Sequence, residues 1–535
     1  MNSIVIFTGN LDFNIRWHAI SLCDEFPKAQ FTIFVHSPKK DFGKVFFNQF
    51  RNLRRHGWRW IPYQISEIGR LVSKKTRRLP LPSTDRPGQM YTRQAIESHP
   101  RISIKFFQNI NGIDACRTLS ELSADLGIAL AAPILKKELF SSPKMGTINL
   151  HKGKLPNFRG MPPAFWELEN GELEVGCTVH QVDSKLDTGE IILESVLRID
   201  KYSTIWGMQA RLHRCGVEMV NEAVKRLSSG SAILRQQPPG GKTYSRPPLA
   251  LESRLQRKLD PKMPSGSIIK GIGKHTVFFL YSNAVMPLVH RWFGMRSEQR
   301  IVILLYHRVS DQFRDNVTIG IERFDQQMRF LANHWNVVSL KEIVAGNVPR
   351  NSARPIVAVS FDDGYLDNFE NAAPILLKHQ IPCTFFISTE KIAENKPFAH
   401  DLKALGFGLN NMNWRHVAQM HKWGFHFGSH TRNHVNLADV GYDEARDELS
   451  GSLSDIRTKL NQEQVFIAYP YGRKHHVTDQ RIEMMKEIGY SACFSAYGGY
   501  NKMEMDLFNI KRVGINWAFD MTAFEARLNR WDRTE

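Results

Sequence analysis

Short apolar runs recur down this chain with amphipathic stretches between them, and the pattern starts twice. Ser3–Phe7, Phe31–Val35, Leu126–Ala131 and Gly146–Leu150 read as buried strands in the first half. Ile301–Tyr306, Ile356–Phe361 and Cys383–Ser388 read the same way in the second, with a helix expected over 366–379. Strands of this kind, separated by helical periodicity, call for crossover connections and a mainly parallel sheet. The expected class is therefore α/β in both halves. At 535 residues there is material for about three domains or two large ones. The boundaries expected are 1–250, a linker over 251–298, and 299–535.

The linker follows Pro247-Pro248, and residues 251–275 are rich in Lys, Arg, Gly, Ser and Pro. It ends in an apolar stretch, Thr276–Val289, flanked by Lys270, Lys274, Arg291 and Arg296. That stretch is too short to span a bilayer. Residues 276–293 suit either a membrane interface, with Trp292 and Phe293 at the boundary, or a helix packing two domains together. The opening MNSIVIFTGN lacks a basic n-region and a cleavage site, so a signal peptide is not expected. The six cysteines form no CxxC pair, which disfavours a disulfide framework and fits a reducing, cytoplasmic setting, with peripheral contact at the inner membrane face left open. Apolar content of 42% with 23% charged residues excludes a mostly disordered or collagen-like chain.

Charge divides the halves. Residues 1–250 carry a net +13, residues 251–300 a net +6, and residues 301–535 a net −1. A basic stretch runs from Arg51, Arg54, Arg55 and Arg59 to Lys74, Lys75, Arg77 and Arg78. It reads as a solvated face or as an attractor for nucleic acid, an anionic membrane or a phosphorylated small molecule.

Three motifs in the second half bear chemistry. In SFDDG, Asp362 and Asp363 sit at a strand end before Gly364. Adjacent carboxylates repel, and a cation or shared proton relieves the repulsion, although such a turn alone is more often a surface feature than a catalytic one. In GSHTRNH, His430 and His434 are four apart, the spacing that puts two imidazoles on one face of a helical turn. AYPYG, residues 468–472, suits a rigid loop lining a groove. In this order the three resemble the polysaccharide deacetylases of carbohydrate esterase family 4. LLYHRVS (304–310) and ERFDQQMRFLANH (322–334) resemble the branch acting on poly-N-acetylglucosamine. The resemblance, over about 299–535, implies a distorted (β/α) barrel. It implies Asp363, His430 and His434 as ligands of a divalent metal, zinc above others, and Asp362 as general base. Members usually carry Arg where this chain has Ala468, and no late Leu-x-His motif supplies a general acid; KRVGINW stands there instead. His307 is a candidate for that acid, with a structural role as the alternative.

The first half carries INLHKGKLPNFRGMPPAFWELENGE (148–172) and VGCTVHQVDSKLDTGEII (175–192). Asn149 and His151, two apart after a strand, point the same way, and Asp187 lies in a Leu-Asp-Thr-Gly turn. An amide, an imidazole and a carboxylate together can transfer an acyl group: Asn stabilises the oxyanion, His exchanges protons with the amine, and Asp holds the imidazole and raises its pKa. A His in such a loop is, taken singly, an ordinary loop residue. The full string resembles the folate-dependent formyltransferases, which act on methionyl-tRNA, glycinamide ribonucleotide and sugar nucleotides. The resemblance covers about 1–248 and implies a Rossmann-like sheet, with Asn149, His151 and Asp187 as the catalytic trio. It also implies 10-formyltetrahydrofolate as donor and a primary amine as acceptor. AAPILKKELFS (131–141) resembles the folate-side loop, which makes Ala131, Ala132, Pro133, Ile134 and Leu135 candidate cofactor contacts.

Together these point to a bifunctional enzyme of amino-sugar or glycoconjugate modification. Metal-dependent hydrolysis of an N-acetyl or N-formyl amide would accompany formyl transfer to a sugar amine. The basic half suits a nucleotide- or polyprenyl-phosphate-linked sugar. Two alternatives stand beside this: formylation followed by deformylation, or one half inactive and kept as a binding module. Nucleic acid is disfavoured as a partner, because a deacetylase-like segment stands where a tRNA formyltransferase carries its RNA-binding domain. The oligomeric state is not legible.

Overall fold

The computed structural model describes residues 1–38, 86–259, 300–349 and 356–529. The basic stretch from Arg51 to Arg78 and the segment 276–293 lie outside these residues. Contacts divide the described chain into two compact units, 1–38 with 89–259, and 86–88 with 300–529. Arg86 therefore groups with the second unit, where it donates to the carbonyls of Gln380 and Val337 at 3.3 and 3.2 Å.

The first unit is built on β1 (Ser3–Thr8), β2 (Gln30–His36), β3 (Ile102–Phe107), β4 (Leu126–Ala129), β5 (Thr147–His151), β6 (Arg159–Gly160), β7 (Glu174–Gln181), β8 (Ile191–Arg198) and β9 (Thr243–Tyr244). Seven of these form a sheet in the order β3-β2-β1-β4-β5-β7-β8. The first five are parallel, and β7 and β8 are antiparallel additions. The four strands expected from apolar runs are present, although β4 stops at Ala129 because Ala131 turns with φ 48°. The edge strands β3 and β8 mix exposed and buried positions, so they give no continuous apolar run to read. A core of Val5, Phe7, Phe34, Leu119, Ala129 and Leu139 fills one face of the sheet. The long helix Ile205–Ser228, capped by Thr204 accepting from Gly207 N–H at 2.9 Å, packs on β7 and β8.

The second unit contains β10 (Ile301–Tyr306), β11 (Arg308–Val309), β12 (Thr318–Ile319), β13 (Asn336–Val337), β14 (Ile356–Phe361), β15 (Cys383–Ile387), β16 (His426–Ser429), β17 (Ile467–Ala468), β18 (Cys493–Gly498) and β19 (Ile510–Gly514). The order β10-β19-β18-β17-β16-β15-β14 closes because β10 also pairs with β14, and β13 adds to the start of β14. Every pairing is parallel, and the register breaks between Phe494 and Gly498. This is a distorted seven-stranded (β/α) barrel. Tyr306, Phe361, Phe385 and Phe427, one from each of four neighbouring strands, form a row of stacked rings 5.1–5.8 Å apart. The helix expected over 366–379 begins as a wide turn, Asn368–Ala372, and becomes regular only over Ala373–His379. Pro374, which lacks an N–H, fits only in that first turn.

Two candidate active sites

In a parallel sheet the loops after the strand ends gather on one edge, and strand order reverses between β1 and β4. Gly9 N–H donates to the Ala131 carbonyl at 3.1 Å across that point. Of the loop expected to face a folate, Ile134 is exposed and its carbonyl accepts from Asn111 Nδ2 at 2.9 Å. Leu135 turns into the core.

The next strand, β5, delivers Asn149 and His151 to the same edge. Asp187 reaches them from the β7–β8 loop in a left-handed conformation, φ 52°. The loop can approach because Gly189 has no side chain: a Cβ there would lie 1.9 Å from the Gln181 carbonyl oxygen. Asp187 Oδ2 lies 3.4 Å from His151 Nδ1 and accepts from Gly160 N–H at 3.0 Å. Its Oδ1 accepts from Asn149 Nδ2 at 3.3 Å. The structure thus brings the three expected residues together. It adds two the sequence reading missed. His180, opposite Asn149 in the β5–β7 register, places Nε2 3.1 Å from Asn149 Nδ2 and 3.6 Å from Asp187 Oδ1. Gln237 donates to the Asp187 carbonyl at 3.0 Å, as does Arg159 Nε at 3.2 Å. His180 follows the alternation of VGCTVHQ; Gln237 leaves no sequence signal.

One expectation is reversed. Asp187 was expected to raise the His151 pKa, and its charge does pull that way, but burial is the larger effect and His151 falls below its ordinary value. His151 Nε2 lies 2.6 Å from the Phe158 carbonyl, which only accepts, so Nε2 carries the proton. Burial pushes Asp187 up, but the neighbouring His180 and His151 outweigh it and hold the carboxyl low.

In the barrel, Asp362 and Asp363 follow directly on β14, and Asp363 adopts φ 75°. That turn sends the two carboxylates to different partners. Asp363 Oδ1 lies 3.4 Å from His430 Nε2 and 3.3 Å from His434 Nε2. The helical-turn argument for the histidines is overturned. They stand on an irregular loop after β16, with Thr431 and His434 both at φ 60°. Left-handed turns, not helical spacing, make them converge. His430 Nδ1 donates to the Ala468 carbonyl at 2.5 Å, which leaves the Nε2 lone pair facing the carboxylate. The three donor atoms lie within 4.8 Å of one another, and Asp363 Oδ1 is buried with no hydrogen-bond partner. Two imidazole nitrogens around an orphaned carboxylate oxygen fit a divalent cation. Burial works against the Asp363 charge, yet the two histidines hold its pKa well below the carboxylate range. Burial pushes His434 down to about 4. For His430 burial is outweighed by Asp362 and Asp363, and its pKa rises.

Asp362 faces the other way, onto Arg512 of β19. Both carboxylate oxygens accept from the guanidinium, at 2.6 and 2.7 Å. The sequence reading missed this residue within KRVGINW. His307, after β10, feels the charges of Asp363 and Asp362, and burial lowers its pKa. Tyr471 sets its ring 5.0 Å from that of His434.

Residues 108–224 match the family model for formyl transferase, and residues 350–493 that for polysaccharide deacetylase. The methionyl-tRNA formyltransferase of Flavobacterium psychrophilum is 35% identical over 115 residues, covering 22% of this chain and 36% of that protein. The chain spans less than half the length of the curated relatives it matches. Among solved structures, a deacetylase of Streptococcus pyogenes in complex with acetate aligns with TM-score 0.38 and 22% identity, over 44% of this chain and 100% of that one. A sugar N-formyltransferase from a Shewanella species aligns with TM-score 0.30 and 15% identity, over 46% and 76%.

Proposed function

We propose that this chain, whose residues 108–224 match the formyl transferase model and 350–493 the polysaccharide deacetylase model, modifies the amine of an amino sugar at two separate centres. One centre transfers a formyl group to the amine, with 10-formyltetrahydrofolate as donor. The other hydrolyses an N-acyl amide with a divalent metal, zinc first among candidates. The observation that carries the reading is that each unit gathers its own reactive cluster around one carboxylate, Asp187 in the first and Asp363 in the second.

At the first centre the acceptor amine must lose a proton as it attacks the formyl carbon. His151, kept neutral by burial, accepts that proton, and Asp187 stabilises the imidazolium. The Asn149 amide donates to the oxygen of the tetrahedral adduct, whose collapse breaks the donor's C–N bond and releases tetrahydrofolate as the proton on His151 passes to the leaving nitrogen. At the second centre Asp363, His430 and His434 would hold the metal, which polarises the amide and lowers the pKa of water. Asp362, kept ionised by Arg512, takes a proton from the attacking water. We assign to His307 the return of a proton to the leaving amine. The basic first half supports a substrate carrying phosphate, nucleotide- or polyprenyl-linked. Among the described residues no helix is long and apolar enough to cross a membrane.

The test is direct. Purified chain is supplied with 10-formyltetrahydrofolate and a panel of amino sugars, free and nucleotide-linked, and separately with their N-acetyl and N-formyl derivatives, and the products are weighed by mass spectrometry. A formyl mass gain on the amines and acyl loss from the amides are expected. No product in either arm overturns the reading.

A further inference from the structure

A fourth group stands at the barrel's cation site, on a segment that carries none of the three motifs. The helix Ala399–Leu405, AHDLKAL, follows Phe398 and brings His400 to Asp363. His400 Nε2 lies 3.8 Å from Asp363 Oδ2, whereas the two imidazoles face Oδ1. Its ring stacks on Phe398 at 5.3 Å and lies 5.3 Å from the His434 ring.

The hydrogen bonds around it fix its proton. Asp401, fully buried, accepts from Arg308 at 3.1 Å through Oδ1 and from the Tyr365 hydroxyl at 2.8 Å through Oδ2. A phenol has one proton, and Asp401 takes it. At 2.8 Å from the Tyr365 oxygen, His400 Nε2 must therefore be the donor. The N–H edge of His400 is thereby held by Tyr365, with Asp401 Oδ1 at 3.7 Å and Asp363 Oδ2 at 3.8 Å as the carboxylate oxygens beside it. At 3.8 Å the contact to Asp363 is longer than a hydrogen bond, so it acts by charge and orientation.

We propose that His400 is a positioning residue of the cation site, anchored by Tyr365 and Asp401, whose Nε2–H edge faces Asp363 Oδ2 and so keeps Oδ1 turned toward His430 and His434. This rests on the metal-site reading above and adds a residue to it. Outer partners that orient a ligand typically change metal affinity by 10–100-fold when removed. His400 also keeps one side open, with its side chain 33% exposed, so substitution there need not disturb the barrel core.

The experiment measures zinc affinity of the full-length chain, stripped by chelation, in competition with a chromogenic chelator. His400→Phe keeps a flat ring against Phe398 and removes the donor; affinity should fall by about tenfold. His400→Gln retains an N–H donor and should stay close to wild type. Tyr365→Phe, which removes the anchor, should shift affinity in the same direction as His400→Phe. Unchanged affinity in His400→Phe overturns the proposal while leaving the metal site intact. Equal loss in the Phe and Gln variants also overturns it, since the loss would then be structural. If the wild-type chain takes up no zinc, the metal-site reading itself falls and this proposal with it.

Discussion

Arg512 grips both oxygens of Asp362, at 2.6 and 2.7 Å, with its guanidinium fully buried. The pair joins the end of β14 to β19 across the closing strand β10. The Nε of the same arginine donates to the Ser495 carbonyl at 2.7 Å, and its face lies over the Phe386 ring. A bidentate fork of this kind fixes the carboxylate's plane as well as its charge.

Removing the fork should damage both folding and hydrolysis. Arg512→Met leaves Asp362 buried and unpaired, at a cost of about 3–5 kcal/mol. Thermal unfolding should show the barrel transition falling by several degrees, and amide hydrolysis should be lost with it. Arg512→Lys keeps a charge without the fork; the fold should be partly restored and hydrolysis should remain impaired, which a rate measurement on folded protein would reveal.

Placing Arg at position 468 should not help. Ala468 is completely buried within the core that contains Phe386, Phe466 and Phe494. The carboxylate an arginine would seek is already taken by Arg512. Ala468→Arg is expected to destabilise the barrel by more than the ~1–3 kcal/mol of simple overpacking, because it adds an unpaired buried charge. A denaturant midpoint at or above wild type would contradict this.

Metal dependence should separate the two activities. Chelation, or His430→Ala, should abolish amide hydrolysis and leave formyl transfer untouched, since the trio Asn149, His151 and Asp187 uses no metal ligand of the barrel. Both reactions are followed on one preparation, and parallel loss would contradict the separation.

Asp187→Asn should cut formyl transfer by about 10²–10⁴-fold. The isosteric amide keeps the loop, which is tied through the Asp187 carbonyl to Arg159 and Gln237, but removes the charge facing His151. Circular dichroism should be unchanged while the rate falls.

Acid should weaken both units. His18 in the first and His426 in the second are buried neutral, each pushed down to about 3 by desolvation. Their folded-state pKa lies below the unfolded value near 6.5, so the unfolded chain binds more protons between about pH 6.5 and 3. Stability is therefore full above pH 6.5 and is lost as pH falls through that window, by at most about 1.4 kcal/mol per pH unit for each histidine. Substituting His18→Gln or His426→Gln should flatten the pH dependence of the unfolding midpoint; an unchanged slope would falsify the assignment.

Composition and period settled much about this protein before any coordinates. Continuous apolar runs such as IVIFT and IVAVSF have only one comfortable place, a strand covered on both faces, and so both α/β units were legible. The residue types of the two clusters were legible too, because amide transfer and metal ligation draw on few side chains. What the chain could not disclose was anything set by contacts distant in sequence. Arg512 meets Asp362 across 150 positions, and His180 meets Asn149 through strand register. His430 and His434 converge through two left-handed residues rather than through the helical spacing their separation suggested. The direction of the His151 pKa turned on burial outweighing a neighbouring charge, a balance fixed only when the sheet folds around it.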